Sequence, residues 1–114
     1  MFFKKIYAAF INSFKGIYRA LQEEFAFQVE FILSAFLIPA SFFIGENVLE
    51  IILLSGSTLF ILLVELLNTA IETTLNRVST EENDLTKYAK DMGSGAVLIS
   101  LLLWLVTWSL IVIY

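Results

Sequence analysis

The strongest constraint on the fold is an apolar segment, Ile51–Val64, which contains no charged residue and runs directly into a polar stripe. In an α-helix of about 100° per residue, Glu65, Asn68, Glu72 and Asn76 fall within roughly an 80° wedge, so they share one face. A carboxylate that faced lipid at this depth would cost on the order of 2.5–3.5 kcal/mol or more. Glu65 is therefore expected to face protein, a metal ion or water.

The composition of the 114-residue chain is typical of a membrane protein. Hydrophobic residues make up 59% of the chain and charged residues 16%, whereas soluble domains have about 45–50% and about 25%. A short chain buries a smaller share of its surface than a long one, so a soluble core could not absorb so many apolar side chains. We predict a single all-α integral membrane domain that comprises residues 1–114.

Residue types that the chain lacks exclude several chemistries. The sequence contains no cysteine and no histidine, which excludes disulfides, thiol catalysis, Cys-ligated metal sites and Ser-His-Asp hydrolysis. Acid–base work must fall to carboxylates, Lys or Tyr. Because the net charge is −4 and the basic residues form no long patch, nucleic acid is not expected as a partner.

Four helical segments are predicted along the chain. Residues 1–22 place Lys and Arg among apolar residues that recur every three or four positions, which indicates an amphipathic helix in the membrane interface. A signal peptide is the less favoured alternative, because polar residues interrupt the apolar stretch. Residues 25–44, 48–78 and 85–113 are each long enough to cross about 30 Å of hydrocarbon as transmembrane helices.

Details within these segments predict how the helices bend, pack and end. Pro39 is expected to kink its helix, and residues 79–84 are predicted to be a polar loop that starts the next helix. The small residues 93–96 would let a neighbouring helix approach closely. Trp104 and Trp108 suit an interfacial aromatic belt.

The distribution of basic residues predicts an orientation. All seven lie on one side of the membrane if there are three spans, and the short connection near residue 46 has none. The positive-inside rule then places the N-terminus in the cytoplasm and the C-terminus outside. The protein is thus expected to be a multi-pass membrane protein.

With this topology, carboxylates from several segments meet at the cytoplasmic membrane surface. Glu24, Glu30, Glu65 and Glu72 could reach one depth, where like charges must share protons, bind a cation or pair with Lys or Arg. Oxygen ligands without His or Cys favour magnesium over zinc, and magnesium usually brings phosphate with it. The pattern therefore favours phosphoryl transfer, with a carboxylate as base and a Lys that neutralises developing charge.

Each of these residues also has a simpler structural interpretation. Glu65 could be a structural carboxylate paired with a Lys, and Asn68 could form an interhelical hydrogen bond alone. Glu24 could be an ordinary interfacial acid. Gly93–Gly95 is more typical of helix packing than of phosphate binding.

Two motifs carry a resemblance to a known family. Val64–Glu72 reads VELLNTAIE and matches the pattern E-x-x-N-[ST]-A-I-E, and Ala89–Ser94 reads AKDMGS and follows at the expected distance. In both, the chain resembles the prokaryotic-type diacylglycerol kinases, small membrane kinases that include undecaprenol kinases. The resemblance spans nearly the whole chain, with the amphipathic start and three spans.

The resemblance implies a homotrimer with composite active sites between protomers, which transfers the γ-phosphate of magnesium-ATP to a lipid hydroxyl. By motif position, Glu65 would be the general base, Asn68 would orient Glu65 or the substrate, and Lys90 would contact the nucleotide phosphates. The implied catalytic residues are Glu65, Asn68 and Lys90. The residues implied for binding magnesium-ATP are Glu24, Glu72, Lys90 and Asp91, of which Glu24 and Glu72 would hold the metal. The residues implied for binding the lipid are Glu30, Glu65, Asn68 and Ser94.

Diacylglycerol is the favoured substrate on this resemblance, and undecaprenol is the alternative. The sequence departs from the family pattern where Gln28 and Val29 replace the usual Arg and Gln. From another class, a small ion- or proton-conducting oligomer would use Glu65 and Glu72 to line a pathway, and an assembly factor would need neither carboxylate. Neither requires Asn68 and Lys90 at this spacing.

Overall fold

The computed structural model describes residues 1–78 and 83–114, and every regular element within these ranges is an α-helix. The helices are α1 (Phe2–Glu23), α2 (Phe25–Ile44), α3 (Val48–Val78) and α4 (Asp84–Ile113). The last three are long and apolar enough to span a membrane. The predicted fold class, an amphipathic first helix followed by three apolar helices, is therefore confirmed.

The junction between α1 and α2 is a single extended residue, Glu24, with φ −111° and ψ 110°. Its backbone N–H donates to the Ala20 carbonyl at 2.9 Å, and the Gln28 side chain donates Nε2–H to the Leu21 carbonyl at 2.6 Å. These bonds satisfy carbonyls at the end of α1 that have no partner within the helix. Gln28, a departure from the family pattern, thus ties α2 to α1 beside a predicted metal ligand.

Capping residues start the two long helices. At the start of α3, the Asn47 side chain accepts from the Glu50 N–H at 2.9 Å, and the Glu50 side chain accepts from the Glu46 N–H at 3.0 Å. At the start of α4, Asn83 accepts from the Thr86 N–H at 2.9 Å. Both follow the preference for Asn at the N-cap. The predicted polar loop lies outside the described residues for positions 79–82.

Helices α3 and α4 pack against each other in antiparallel directions. The buried positions of α3 include Leu54, Ser57, Thr58, Ile61, Glu65 and Asn68, and those of α4 are Thr86, Gly93, Ser100 and Trp108. Three of the four α4 positions are seven residues apart and small, so they form one stripe on which a facing helix can approach closely. Of residues 93–96, for which a close helix approach was predicted, Gly93 is buried, whereas Ser94 and Ala96 are exposed.

The two tryptophans of α4 face α3. Trp104 donates its indole N–H to Thr58 Oγ1 at 3.0 Å, and Trp108 donates to the Leu54 carbonyl at 3.1 Å. The two rings stack with centroids 5.3 Å apart. Both indole N–H groups therefore find their partners on α3, and the place of these residues in an interfacial belt stays a prediction.

Helix α2 continues through Pro39 as one helix from Phe25 to Ile44. A proline lacks the N–H donor of its position, which membrane helices tolerate when neighbouring groups compensate. Two turns nearer the start of α2, Ser34 donates to the Glu30 carbonyl at 2.7 Å. This bond helps to fix the first turns of α2, which carry Glu30 toward α3.

Candidate functional site

Glu65 and Asn68 are the most unusual buried residues of the chain. Each is only 8% exposed, although a buried ionisable or amide side chain is costly unless it is paired. Glu65 lies seventeen residues after Val48, which is about 26 Å along the helix and close to the edge of a hydrocarbon layer of about 30 Å. The polar site therefore begins where the apolar part of α3 ends.

Asn68 is held by the next turn of its own helix. Its Nδ2–H donates to Glu72 Oε1 at 2.9 Å. Because an ionised carboxylate only accepts hydrogen bonds, this contact fixes which side of the amide carries the nitrogen. The Asn68 carbonyl oxygen therefore points away from Glu72.

Two buried oxygens are unpaired within the part of the chain that the structure describes. They are Oδ1 of Asn68 and Oε2 of Glu30. Buried acceptors without partners are rare in native structures, and each calls for an explanation such as an absent ligand, ion or water. Both belong to the residue set predicted for the site.

Three of the predicted carboxylates lie within electrostatic range of the fourth, Glu65. They are Glu30 on α2, Glu72 on the same helix as Glu65, and Glu24 at the α1–α2 junction. Like charges at this depth require a cation, a shared proton or a basic partner. That the four carboxylates form one functional site stays a prediction.

The donor set suits magnesium better than a metal held by protein alone. Over residues 1–78 and 83–114, no three acidic side chains are arranged to hold a metal ion by themselves. Magnesium is commonly bound by one or two carboxylates and completes its shell with water and phosphate oxygens. Glu24 and Glu72 therefore fit a magnesium ion that arrives with a nucleotide.

A largely apolar cavity of about 620 Å³ opens between α1 and α3. Its walls include Glu24 and Arg19 from the first part of the chain, and Leu66, Ala70 and other α3 residues. Concave, mostly apolar sites with a few polar groups are typical of small-molecule binding sites. Of the four predicted carboxylates, Glu24 is the one that lines this cavity.

Lys90 reaches the polar end of α3 from α4. Its Nζ donates to Asn76 Oδ1 at 2.9 Å. The neighbouring Asp91 instead forms an exposed ion pair with Lys87 on α4 at 2.8 Å. Lys90 thus lies next to the predicted polar stripe, whereas Asp91 faces outward.

Ser94 and Gly93 differ in their positions, although they are adjacent in sequence. Ser94 is exposed on the single chain, and its assignment to the lipid site stays a prediction. Gly93 is buried against α3. The sequence predicted neither the contact that buries Gly93 against α3 nor the partner of Asn76. Asn76 already belonged to the predicted polar stripe, but only the register between α3 and α4 reveals its contact with Lys90.

The chain is similar in sequence to known proteins over most of its length. The family model for prokaryotic diacylglycerol kinase matches residues 11–112. A protein named diacylglycerol kinase from Haemophilus influenzae is 43% identical over 96 residues, which cover 84% of this chain and 81% of that protein. The proteins of the same name from Pseudomonas aeruginosa and Escherichia coli are 41% and 33% identical over 110 and 109 residues, and each alignment covers 96% of this chain and 89% of the relative. The chain belongs to the prokaryotic diacylglycerol kinase family.

Proposed function

We propose that this membrane protein transfers the γ-phosphate of ATP to the hydroxyl of diacylglycerol, which yields phosphatidic acid at the cytoplasmic face of the bacterial inner membrane. The observation that carries the proposal is the buried Glu65, which has three further carboxylates within electrostatic range, one of which, Glu24, lines a largely apolar cavity. Family membership supports the same reaction, since the relatives bear the name of this activity.

Glu65 is the general base in this scheme. Its carboxylate accepts the proton of the lipid hydroxyl while that oxygen attacks the γ-phosphorus and the bond to the bridging oxygen of ADP breaks. Its position at the end of the apolar part of α3 supports this role, because the headgroups of the lipid lie at the edge of the hydrocarbon layer. Asn68, fixed through Glu72, offers its free amide oxygen to orient the hydroxyl.

Glu24, Glu72 and Lys90 serve the nucleotide. The two carboxylates would hold magnesium, which would offset the negative charge of the phosphates. Lys90 donates from its ammonium group to the phosphates. To do so, it gives up its hydrogen bond to the neutral Asn76 amide. Asp91 supports the nucleotide site from the α4 surface, and Glu30 with Ser94 contributes to the lipid side.

The assembly is proposed to be a homotrimer with its N-terminus in the cytoplasm. Large apolar side chains remain exposed on α2, α3 and α4 of the single chain, including Phe36, Ile52 and Leu102. Lipid covers part of this surface and neighbouring copies cover the rest. Undecaprenol remains the alternative acceptor, because a hydroxyl at the interface on a long apolar chain could use the same cavity and the same base.

The test is phosphate transfer from labelled ATP by the purified protein in mixed micelles, with diacylglycerol and undecaprenol offered side by side. We expect labelled phosphatidic acid, and we expect Glu65→Gln to lower turnover at least 100-fold without change in oligomeric state. Glu46→Gln is the matched control, because the same change on the exposed α2–α3 connection removes a carboxylate far from the site along α3. Preference for undecaprenol would assign the alternative substrate, and nucleotide-independent ion flux without transfer would refute the kinase.

A further inference from the structure

Gly93 faces the polar site from the opposite helix. It is buried on α4 in the same stripe as Thr86 and Ser100, and this stripe packs on α3. Glycine within a helix costs stability relative to alanine, so a buried helical glycine usually reflects the need for space. The structure shows what occupies the space.

A side chain at position 93 would meet Asn68. A β-carbon built there would overlap Asn68 Oδ1, and it would lie 3.2 Å from Asn68 Cγ and 3.9 Å from Asn68 Cβ. No atom of another residue is among the three nearest contacts. By contrast, a β-carbon at Gly95 would meet nothing within 4 Å. At Gly93 it is therefore the Asn68 side chain that leaves no space for a methyl group.

The amide cannot move aside without loss of its other contact. Asn68 Nδ2 donates to Glu72 Oε1, so its oxygen is directed to the α4 side, where Gly93 lies. A methyl group at position 93 would push the amide out of this place. The displaced amide would lose its hydrogen bond to Glu72 or turn its oxygen in a new direction.

We propose that Gly93 is a positioning residue of the site: its missing side chain provides the space in which the Asn68 amide stays bonded to Glu72 with its oxygen unpaired. Gly93 touches neither substrate nor nucleotide in this role and acts through Asn68. The catalytic consequence rests on the proposed function, in which the Asn68 oxygen orients the lipid hydroxyl. The packing relation between Gly93 and Asn68 does not depend on the proposed function.

The first experiment compares Gly93→Ala with Gly95→Ala in the purified, micelle-bound enzyme. We expect Gly93→Ala to lower kcat at least tenfold per folded protein, with the KM for ATP within twofold of the unmodified protein. Gly95→Ala, which adds the same methyl group to open space on the same helix, should keep kcat within twofold. Full activity of Gly93→Ala, or equal losses in both variants, would overturn the positioning role.

The second experiment measures thermal unfolding and does not depend on kinase activity. Gly93→Ala should lower the unfolding midpoint of the unmodified protein but not that of Asn68→Ala, where only the Asn68 β-carbon remains, at 3.9 Å from the added methyl. An equal fall in both backgrounds would show that Gly93 serves helix spacing alone and would overturn the proposal. If no lipid is phosphorylated yet the midpoints respond as expected, the proposed function fails and the Gly93–Asn68 relation stands.

Discussion

Asn68 connects the chemistry of the site with the packing of the helices. One end of its amide is bonded to Glu72, and the other end faces Gly93 without a hydrogen-bond partner. Since Glu72 is also a proposed magnesium ligand, a substitution of Asn68 should affect Glu72, and a substitution of Glu72 should affect Asn68. Substitutions at Glu72 can separate the loss of charge from the loss of this hydrogen bond.

We expect Glu72→Gln to raise the magnesium concentration needed for half-maximal activity on the order of tenfold. The glutamine carbonyl can still accept the hydrogen bond from Asn68, so the change removes charge and little else. Glu72→Ala removes both the charge and the hydrogen-bond acceptor, and it should therefore also lower kcat. Magnesium titration of activity measures this, with Glu50→Gln as a control on the opposite end of α3; an unchanged magnesium dependence in Glu72→Gln would exclude Glu72 as a ligand.

At this scale the sequence predicted part of the site. The helical spacing placed Glu65, Asn68 and Glu72 on one face, and in the structure Glu24, Glu30 and Glu72 each lie within electrostatic range of Glu65. The relation of Asn68 to Gly93 could not be predicted, because it depends on the register and distance between two helices. These follow from the packing of all their side chains together, which no local spacing encodes.

Among the elements, the junction of α1 with α2 positions Glu24. The chain turns there through one extended residue, and Gln28 bridges the turn with its hydrogen bond to the Leu21 carbonyl. The family pattern, which has Arg at this place, gave no reason to expect a capping role for Gln. Only the geometry of the turn shows that the amide reaches across it.

Gln28→Leu should loosen this junction. A leucine of similar size cannot donate to the Leu21 carbonyl, so we expect the free energy of unfolding to fall by about 1 kcal/mol and amide hydrogen exchange near Glu24 to quicken. Gln22→Leu, the same change at an exposed position of α1, is the control. Exchange rates near Glu24 that do not differ between the two variants would contradict the role of Gln28.

The tryptophans of α4 show that a partner helix can determine the direction of side chains that the sequence pattern alone would assign to the membrane interface. Aromatic residues near the end of an apolar segment usually indicate the membrane interface, but an indole N–H needs an acceptor wherever it lies. Thr58 and the Leu54 carbonyl supply these acceptors on α3. Composition and periodicity predicted the helices correctly, while the direction of individual side chains depended on the partner helix.

At the scale of the whole molecule, the apolar surface and the charges together determine how the protein sits in the membrane. Most residues of the three long helices remain exposed to their surroundings in the single chain, as expected for a protein that lipid and neighbouring copies enclose. The basic residues are distributed unevenly along the chain. They lie in α1, in the last turn of α3 and in the first two turns of α4, and the α2–α3 connection has none; they are Lys4, Lys5, Lys15, Arg19, Arg77, Lys87 and Lys90.

The orientation can be tested because the chain has no cysteine of its own. Glu46→Cys lies between α2 and α3, and Asp84→Cys lies at the start of α4, so the two variants place the same thiol at opposite ends of α3 in exchange for an exposed acid. The positive-inside rule predicts that a membrane-impermeant maleimide labels only Glu46→Cys in spheroplasts, and labels Asp84→Cys only after the membrane is opened. Labelling of Asp84→Cys in intact spheroplasts would reverse the orientation and place the carboxylate cluster on the side where ATP is absent. The expected pattern would instead place Glu65, Lys90 and the cavity at the membrane face that ATP can reach.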